Sequence, residues 1–169
     1  CPGLIDLPLE EQRLRVSETV FNGGSSAASP LMTWVEITEL KAGGHSIGAH
    51  GMGHARLSGL SGDALAHEIV ESGRRLGERL GGPVPWFAYP FGDIDSISAP
   101  ALAAIAGTYR FCRSGVRGIN DVATHPHALR ADHVDLDAPD AYRALVVDGG
   151  LDFRYRAARR RLDAMGQAQ

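Results

Sequence analysis

Hydrophobic positions with a helical spacing begin after a loop of small and polar residues. Thr33 and Glu36 stand three residues apart, which is the capping-box pattern that begins a helix. The side chains of Val35, Ile37 and Leu40 are expected to form the buried side of this helix. Two glycines follow it, and glycine is common where a helix ends. The pattern therefore predicts a short helix that buries one side.

Short apolar runs alternate with longer helical patterns through the rest of the chain. The first three runs end near His50, Tyr89 and Cys112, and they have the length and composition of buried strands. A fourth strand is predicted over residues 129–136. Helices are predicted over residues 61–80, 99–106, 139–147 and 153–165, the last of them basic and exposed. Strands that alternate with helices predict an α/β fold with a largely parallel sheet, whose functional site lies at the carboxyl ends of the strands.

Length, composition and charge exclude several classes of protein. The chain has 169 residues, of which 44% are hydrophobic and 22% charged, as in ordinary globular proteins rather than disordered tails, collagens or coiled coils. The formal net charge of −3 gives no reason to expect a nucleic-acid partner. No apolar run is long enough to span a membrane. The chain begins at Cys1 as if within a strand, so we expect a fragment, and its localisation and oligomeric state are open.

Two histidines four residues apart are the first candidates for chemistry. His50 and His54 follow a predicted strand, and side chains at this spacing on a helical or tight turn face the same way and can share a metal ion. Gly51 stands where the H-E-x-x-H pattern of zinc proteases needs a glutamate, which excludes that class. Taken alone, a histidine pair at this spacing is a weak signal, and ordinary polar histidines near the end of a strand are the commoner case.

The wider set of motifs resembles the polysaccharide deacetylases, the NodB-homology group of carbohydrate esterases. The matching segments are 34–40, 44–50 together with His54, and 87–92. The resemblance implies a distorted (β/α) barrel that removes N- or O-acetyl groups from a polysaccharide or oligosaccharide with a divalent metal, for which we expect zinc. We therefore interpret residues 1–169 as a single, partial domain of this family that lacks its first strand or strands.

The resemblance also implies roles for particular residues. His50 and His54 match the two histidine metal ligands of the family. Phe91 matches the residue whose backbone N–H binds the oxyanion that forms when the acetyl group is attacked. The candidates for binding the carbohydrate are Tyr89, Asp93 and Arg130, although an aspartate after a turn glycine is also ordinary turn chemistry.

Several departures from the family pattern limit what this chain is expected to do. The resemblance places a third ligand and a general base on aspartates of a segment that this sequence does not contain. Ala88 stands where arginine is frequent, and Gly51 stands where serine or threonine usually follows the first histidine. We expect the chain as given to bind metal weakly and to be catalytically poor. Two alternatives are a non-catalytic carbohydrate-binding member of the fold and an amidase for a small non-sugar amide. The candidates for the general acid are His125, His127 and His133.

Overall fold

The structure, a computed structural model, describes residues 32–168, and the chain divides into two units after His45. In the first unit, helix α1 spans Trp34–Ala42. Thr33 caps this helix, and its backbone N–H donates a 2.6 Å hydrogen bond to the Glu36 carboxylate. The predicted capping box is therefore confirmed.

The predicted buried side of α1 is wrong. No residue of this helix is buried, and Val35 is 67% exposed. Two steps along an α-helix rotate a side chain by about 200° around the axis. Val35 and Ile37 therefore lie on opposite sides of the helix, and the three hydrophobic residues do not form one face.

The second unit is built on a small parallel sheet. Its strands are β1 (Gly48–Ala49), β2 (Trp86–Ala88) and β3 (Phe111–Arg113). They lie in the order β1-β2-β3, with Ala49 beside Phe87 and Phe87 beside Cys112. Because the strands are parallel, the residues that follow them meet at one edge of the sheet. The observed α/β class agrees with the prediction, and the strands are shorter than the apolar runs that contain them.

Helical connections join these strands and follow them. The run from residue 62 to residue 80 confirms the predicted helix, and it ends at Gly81, whose φ of 71° suits glycine. Its parts are helix α2 (Gly62–Ala66), a π-helical segment (His67–Glu71) and helix α3 (Ser72–Leu80). The helices after β2 also agree with the prediction within a few residues; they are α4 (Ala99–Ala106), α5 (Asp140–Val147) and α6 (Arg156–Gln167). Short 3₁₀ segments span Leu57–Gly59, Ile94–Ser96 and Asp152–Tyr155.

The predicted strand over residues 129–136 is wrong except at its first residue. Leu129 forms an isolated parallel bridge with Arg113, and the following residues have no strand structure. Three aspartates lie between residues 131 and 138, and aspartate is depleted in strands because its side chain competes for backbone hydrogen bonds.

The core lies between the sheet and its helices. Phe87 and Cys112 from the strands pack with Ile69 and Leu102 from the helical segments, and all four are almost completely buried. Leu162 of α6 joins the same cluster, so the expectation that the last helix is simply exposed is wrong. Its arginine side is the more exposed one. None of the helices among residues 32–168 is both long and apolar enough to cross a membrane.

The π-helical segment is the one feature of the long helical run that the periodicity did not predict. The carbonyl of Ile69 accepts hydrogen bonds from the Tyr109 hydroxyl at 2.6 Å and from the Ser72 hydroxyl at 2.8 Å. A Cβ atom at Gly73 would lie 2.4 Å from the Tyr109 hydroxyl oxygen, so the absence of a side chain there admits the tyrosine. Side chains outside the helical ladder thus stabilise the widened turn.

Replacement of Tyr109 by phenylalanine should destabilise the protein by about 1 kcal/mol, because a buried carbonyl loses a hydrogen-bond donor while the ring still fills its place. Urea denaturation monitored by circular dichroism measures this difference. The matched control is Tyr142→Phe, since Tyr142 is 45% exposed. Equal stability of the two variants would contradict the assigned role of the Tyr109 hydroxyl.

Candidate active site

The loop that follows β1 brings the two predicted histidine ligands together. The ring centroids of His50 and His54 are 4.9 Å apart, and their planes meet at 71°. The His54 ring also lies 4.7 Å from the Phe91 ring, which comes from the turn after β2. His50, His54 and Phe91 are therefore neighbours at the carboxyl edge of the sheet, where the strand pattern places a site.

The backbone of β2 orients the first of these imidazoles. Nδ1 of His50 lies 2.9 Å from the carbonyl oxygen of Ala88. A carbonyl can only accept, so Nδ1 carries the proton and donates it to this bond. Nε2 then carries a lone pair, and this combination is typical of a metal-binding histidine. Ala88, which replaces the arginine that the resemblance implies, thus contributes through its main chain.

The second imidazole is held on strained backbone. His54 has a φ of 56°, in the left-handed region that few residues other than glycine adopt. Burial lowers the pKa of His54, and the nearby His50 lowers it further, while Glu68 acts in the opposite direction. The neutral imidazole, which is the form that binds metals, is therefore favoured at this position.

Glu68 is the site residue that the sequence reasoning missed. It lies in the π-helical segment and is only 1% exposed. Its carboxylate accepts hydrogen bonds from the backbone N–H groups of Met52 at 3.0 Å and of Gly53 at 2.9 Å. One signal was present in the sequence: Glu68 falls three residues after Leu65 and beside Ile69, on the apolar face of the helix, where a charged residue needs a partner.

The turn after β2 is also strained. The Gly92 N–H donates a 2.8 Å hydrogen bond to the Pro90 carbonyl, which places Phe91, with a φ of 64°, at the centre of a γ turn. A Cβ atom at Gly92 would lie 2.7 Å from the Gly115 nitrogen, so the two loops approach closely. No acceptor among residues 32–168 pairs with the Phe91 N–H. Strain of this kind concentrates at functional sites.

A cavity of about 280 Å³ opens between these two loops and the end of β3. It has a volume close to the lower end of the range for small-molecule sites. Arg113, the last residue of β3, brings a positive charge to its wall. The residues that line it include His50, Tyr89, Phe91, Gly92, Arg113 and Ser114.

The structure places the three predicted carbohydrate-binding residues in different surroundings. Tyr89 lines the cavity, but burial and then the neighbouring Cys112 thiol raise its pKa, so its hydroxyl stays protonated. Arg130 lines a separate cavity, where its guanidinium donates to the Asp163 carboxylate at 2.7 Å. The structure therefore brings Tyr89, but not Arg130, to the histidine pair. A carbohydrate contact for either residue stays a prediction.

Asp93 follows the Phe91 turn and has a local structural role. Its carboxylate accepts backbone hydrogen bonds from Asp95 and Ser96, which begin the short 3₁₀ segment. Arg56 lies 3.3 Å away and also stacks over the Phe91 ring, with the guanidinium carbon 5.5 Å from the ring centroid. Burial raises the pKa of Asp93, but hydrogen bonds from Ser96 and the charge of Arg56 outweigh it, so the net pKa is lowered.

The histidines considered for the general acid do not line the cavity that contains His50. His127 donates from Nε2 to the Tyr109 carbonyl at 2.9 Å. His125 lies in the second cavity with Arg130, and burial lowers its pKa. His133 lies in the irregular segment after Leu129. The structure therefore gives no special support to any of the three.

The two imidazoles are suitable ligands for a divalent metal, but they are fewer than a catalytic metal site normally has. Two imidazoles that share a tetrahedral zinc ion at the usual Zn–N distance have centroids about 5 Å apart, and the observed pair fits that spacing. Catalytic zinc sites normally use three protein ligands. Within residues 32–168, no group of three or more histidine, cysteine, aspartate or glutamate side chains is arranged to hold a metal ion.

Comparison with known families agrees with the motifs. A model of the polysaccharide deacetylase family matches residues 11–109, which is more than half of the chain. The chain belongs to the polysaccharide deacetylase family, and the resemblance inferred from the motifs is confirmed. No protein with a curated description matches this sequence.

Two solved structures share the fold. The deacetylase PplD of Streptococcus pyogenes, solved in complex with acetate, is 22% identical, with a TM-score of 0.61 over 70% of this chain and 51% of its own. BA0330 of Bacillus anthracis, assigned to the polysaccharide deacetylases, is 17% identical, with a TM-score of 0.60 over 80% of this chain and 48% of its own. At these identities the likeness concerns the fold alone. The present chain spans about half the length of both structures.

Alanine at position 51 should destabilise the protein by about 1–2 kcal/mol, because Gly51 has a φ of 84° and a left-handed alanine costs about this much. The added Cβ would also lie 2.9 Å from Oε2 of Glu68. Thermal denaturation measures the effect. Gly59→Ala is the matched control, since a Cβ atom there meets no atom within 4 Å. A Gly51→Ala variant as stable as this control would contradict the described loop geometry.

Proposed function

We propose that this chain is the partial domain of a metal-dependent hydrolase that removes N- or O-acetyl groups from a polysaccharide or oligosaccharide. One observation carries the proposal: the His50 and His54 ring centroids lie 4.9 Å apart, and the His54 ring contacts the ring of Phe91 in the turn after β2. Family membership supports the hydrolase class and the carbohydrate substrate.

The residues of this chain would divide the work between them. His50 and His54 would hold a divalent ion, with zinc as the expected metal. That ion would polarise the acetyl carbonyl and lower the pKa of a water molecule. The Phe91 N–H, which has no acceptor among the described residues, would donate to the carbonyl oxygen as negative charge develops on it. Because the γ turn fixes this N–H in advance, the donation would need no rearrangement.

The proposal requires groups that the described residues do not supply. We assign the third metal ligand and the general base to carboxylates outside residues 32–168, since the histidine pair alone leaves the ion short of ligands. We also propose that the three parallel strands belong to a distorted (β/α) barrel. Their parallel pairing and the helical crossovers between them support this arrangement.

Zinc titration of purified protein tests the metal site. The wild-type chain should bind zinc weakly, and His50→Ala and His54→Ala should each lose that binding, because each removes one of two ligands. His67→Ala is the matched control: His67 is exposed on the helical run and should not matter. Isothermal titration calorimetry measures the affinities. Binding that survives both loop variants would place the ion elsewhere, and tight binding by this chain would contradict the two-ligand assignment.

Acetate release from acetylated chito-oligomers tests the reaction. The protein as encoded by its gene, loaded with zinc, should release acetate, and its His50→Ala variant should not. Release can be followed by a coupled acetate assay at matched metal occupancy. A protein that holds zinc but releases no acetate would instead favour an amidase for a small non-sugar amide or a carbohydrate-binding role. Binding of the intact oligomers then separates these two.

A further inference from the structure

We propose that Glu68 is a positioning residue that holds the loop between His50 and His54 in the shape needed for metal binding. This inference rests on the proposed function, because it concerns how the same site is built. The carboxylate touches the loop backbone, not the imidazoles, so its effect on the metal would be indirect.

The contacts of Glu68 are those of a buried carboxylate held by two successive backbone N–H groups. Oε2 accepts from the backbone N–H of Met52 at 3.0 Å and from that of Gly53 at 2.9 Å, and Oε1 lies 3.0 Å from the same Gly53 nitrogen. The side chain is 1% exposed. An ionised carboxylate is buried at acceptable cost only when such donors replace water. Successive backbone N–H groups that converge on an anion are a recurrent binding arrangement.

The loop that these bonds hold is one that the chain would not adopt readily by itself. Gly51 and His54 both have positive φ angles, of 84° and 56°. The two donors, Met52 and Gly53, lie between them, so the carboxylate bonds to the middle of the loop while the imidazoles stand at its two ends. Oε2 comes so close to Gly51 that a Cβ atom there would lie 2.9 Å away. Glycine at position 51 and glutamate at position 68 therefore fit each other.

Glu68 lies in the π-helical segment, which side chains outside the backbone ladder stabilise. Glu68 is the second residue of that segment, and Ile69 is the third. The Tyr109 hydroxyl and the Ser72 hydroxyl both donate to the Ile69 carbonyl, which stabilises the widened turn. These hydrogen bonds therefore stabilise the helical run next to Glu68, its one buried carboxylate.

The negative charge of Glu68 adds to the effect of its hydrogen bonds on the loop. The buried carboxylate places a negative charge against the backbone of the loop that carries both candidate metal ligands, and electrostatic attraction to a divalent cation is stronger where water is excluded. Glutamine at position 68 keeps the size of the side chain but loses this charge. It also turns one oxygen acceptor into an NH₂ group, which cannot accept from the loop N–H groups.

Comparison of three variants tests the inference. Glu68→Gln should bind zinc about tenfold more weakly than wild type, the usual size of an effect exerted through groups around the ligands. Glu71→Gln, three residues along, loses only surface ion pairs with Arg74 and Arg75 and should bind as wild type does. Ile69→Val trims the neighbouring buried side chain. This variant should lower the melting temperature while it keeps the Glu68 carboxylate, and it therefore reports what reduced stability alone does to the zinc affinity.

Two further measurements separate positioning from general stability. The absorption spectrum of bound Co²⁺ reports ligand geometry, and it should change in Glu68→Gln but not in Ile69→Val. Amide hydrogen exchange at Met52 and Gly53, measured without metal, should accelerate in Glu68→Gln only. If wild type binds the ion and Glu68→Gln binds it equally well, this inference alone fails. If Ile69→Val matches Glu68→Gln in affinity and in Co²⁺ spectrum, the role is merely structural. A wild-type protein that binds neither ion overturns the proposed function and this inference with it.

Discussion

The hydrogen bonds from the backbone of Met52 and Gly53 to the buried Glu68 carboxylate are the constraint on which the site depends. They join the long helical run to the loop at the end of β1, and the 3₁₀ segment Leu57–Gly59 separates the two in sequence. Without them the loop would have two unpaired backbone donors, and the carboxylate would be a buried charge without partners. The loop donors and the carboxylate stabilise each other, because the backbone N–H groups offset the free-energy cost of dehydrating the anion.

The same edge of the sheet concentrates the strained backbone of the second unit. His54 and Phe91 are the two non-glycine residues with positive φ among residues 32–168, and their rings are in contact. Such conformations persist only where the surroundings determine them strongly. Here the surroundings are the Glu68 bonds on one side and the close approach of Gly92 to Gly115 on the other. The energetic cost of these two backbone conformations is offset by the packing of the sheet against its helices, where Phe87 and Cys112 are almost completely buried.

The histidine pair lies both within the segment that matches the polysaccharide deacetylase family and at the described edge of the sheet. The family match covers residues 11–109, and the described site draws on β1, β2 and their loops within that range, with β3 contributing Arg113 to the wall of the cavity. The departures at Gly51 and Ala88 have structural counterparts. The Glu68 carboxylate lies where a side chain at position 51 would point, and the Ala88 carbonyl orients His50. Main-chain groups therefore contribute to the orientation of the candidate metal ligands in this chain.

Much of this arrangement could be inferred from the residues themselves. Several features express a local preference or a short spacing: the capping at Thr33, the helical run that starts after Ser61, the strand ends near His50 and Tyr89, and the set of family motifs. The buried side of α1, the strand after Leu129 and the position of Arg130 could not be inferred in this way. Burial and strand pairing depend on what lies opposite, and a periodic pattern in one segment does not report its neighbours.

Hydrophobic spacing, capping residues and motif identity are properties of neighbouring positions, and they were enough to predict most of the element types, the family and the pair of imidazoles. The tertiary structure was needed to place Glu68 under the histidine loop, since residues 52 and 68 meet through the fold and not through a local pattern. It also decided which nitrogen of His50 carries the proton, because the Ala88 carbonyl that accepts it comes from another strand. Polar groups far apart in the chain form hydrogen bonds with one another only after the hydrophobic core has brought them together.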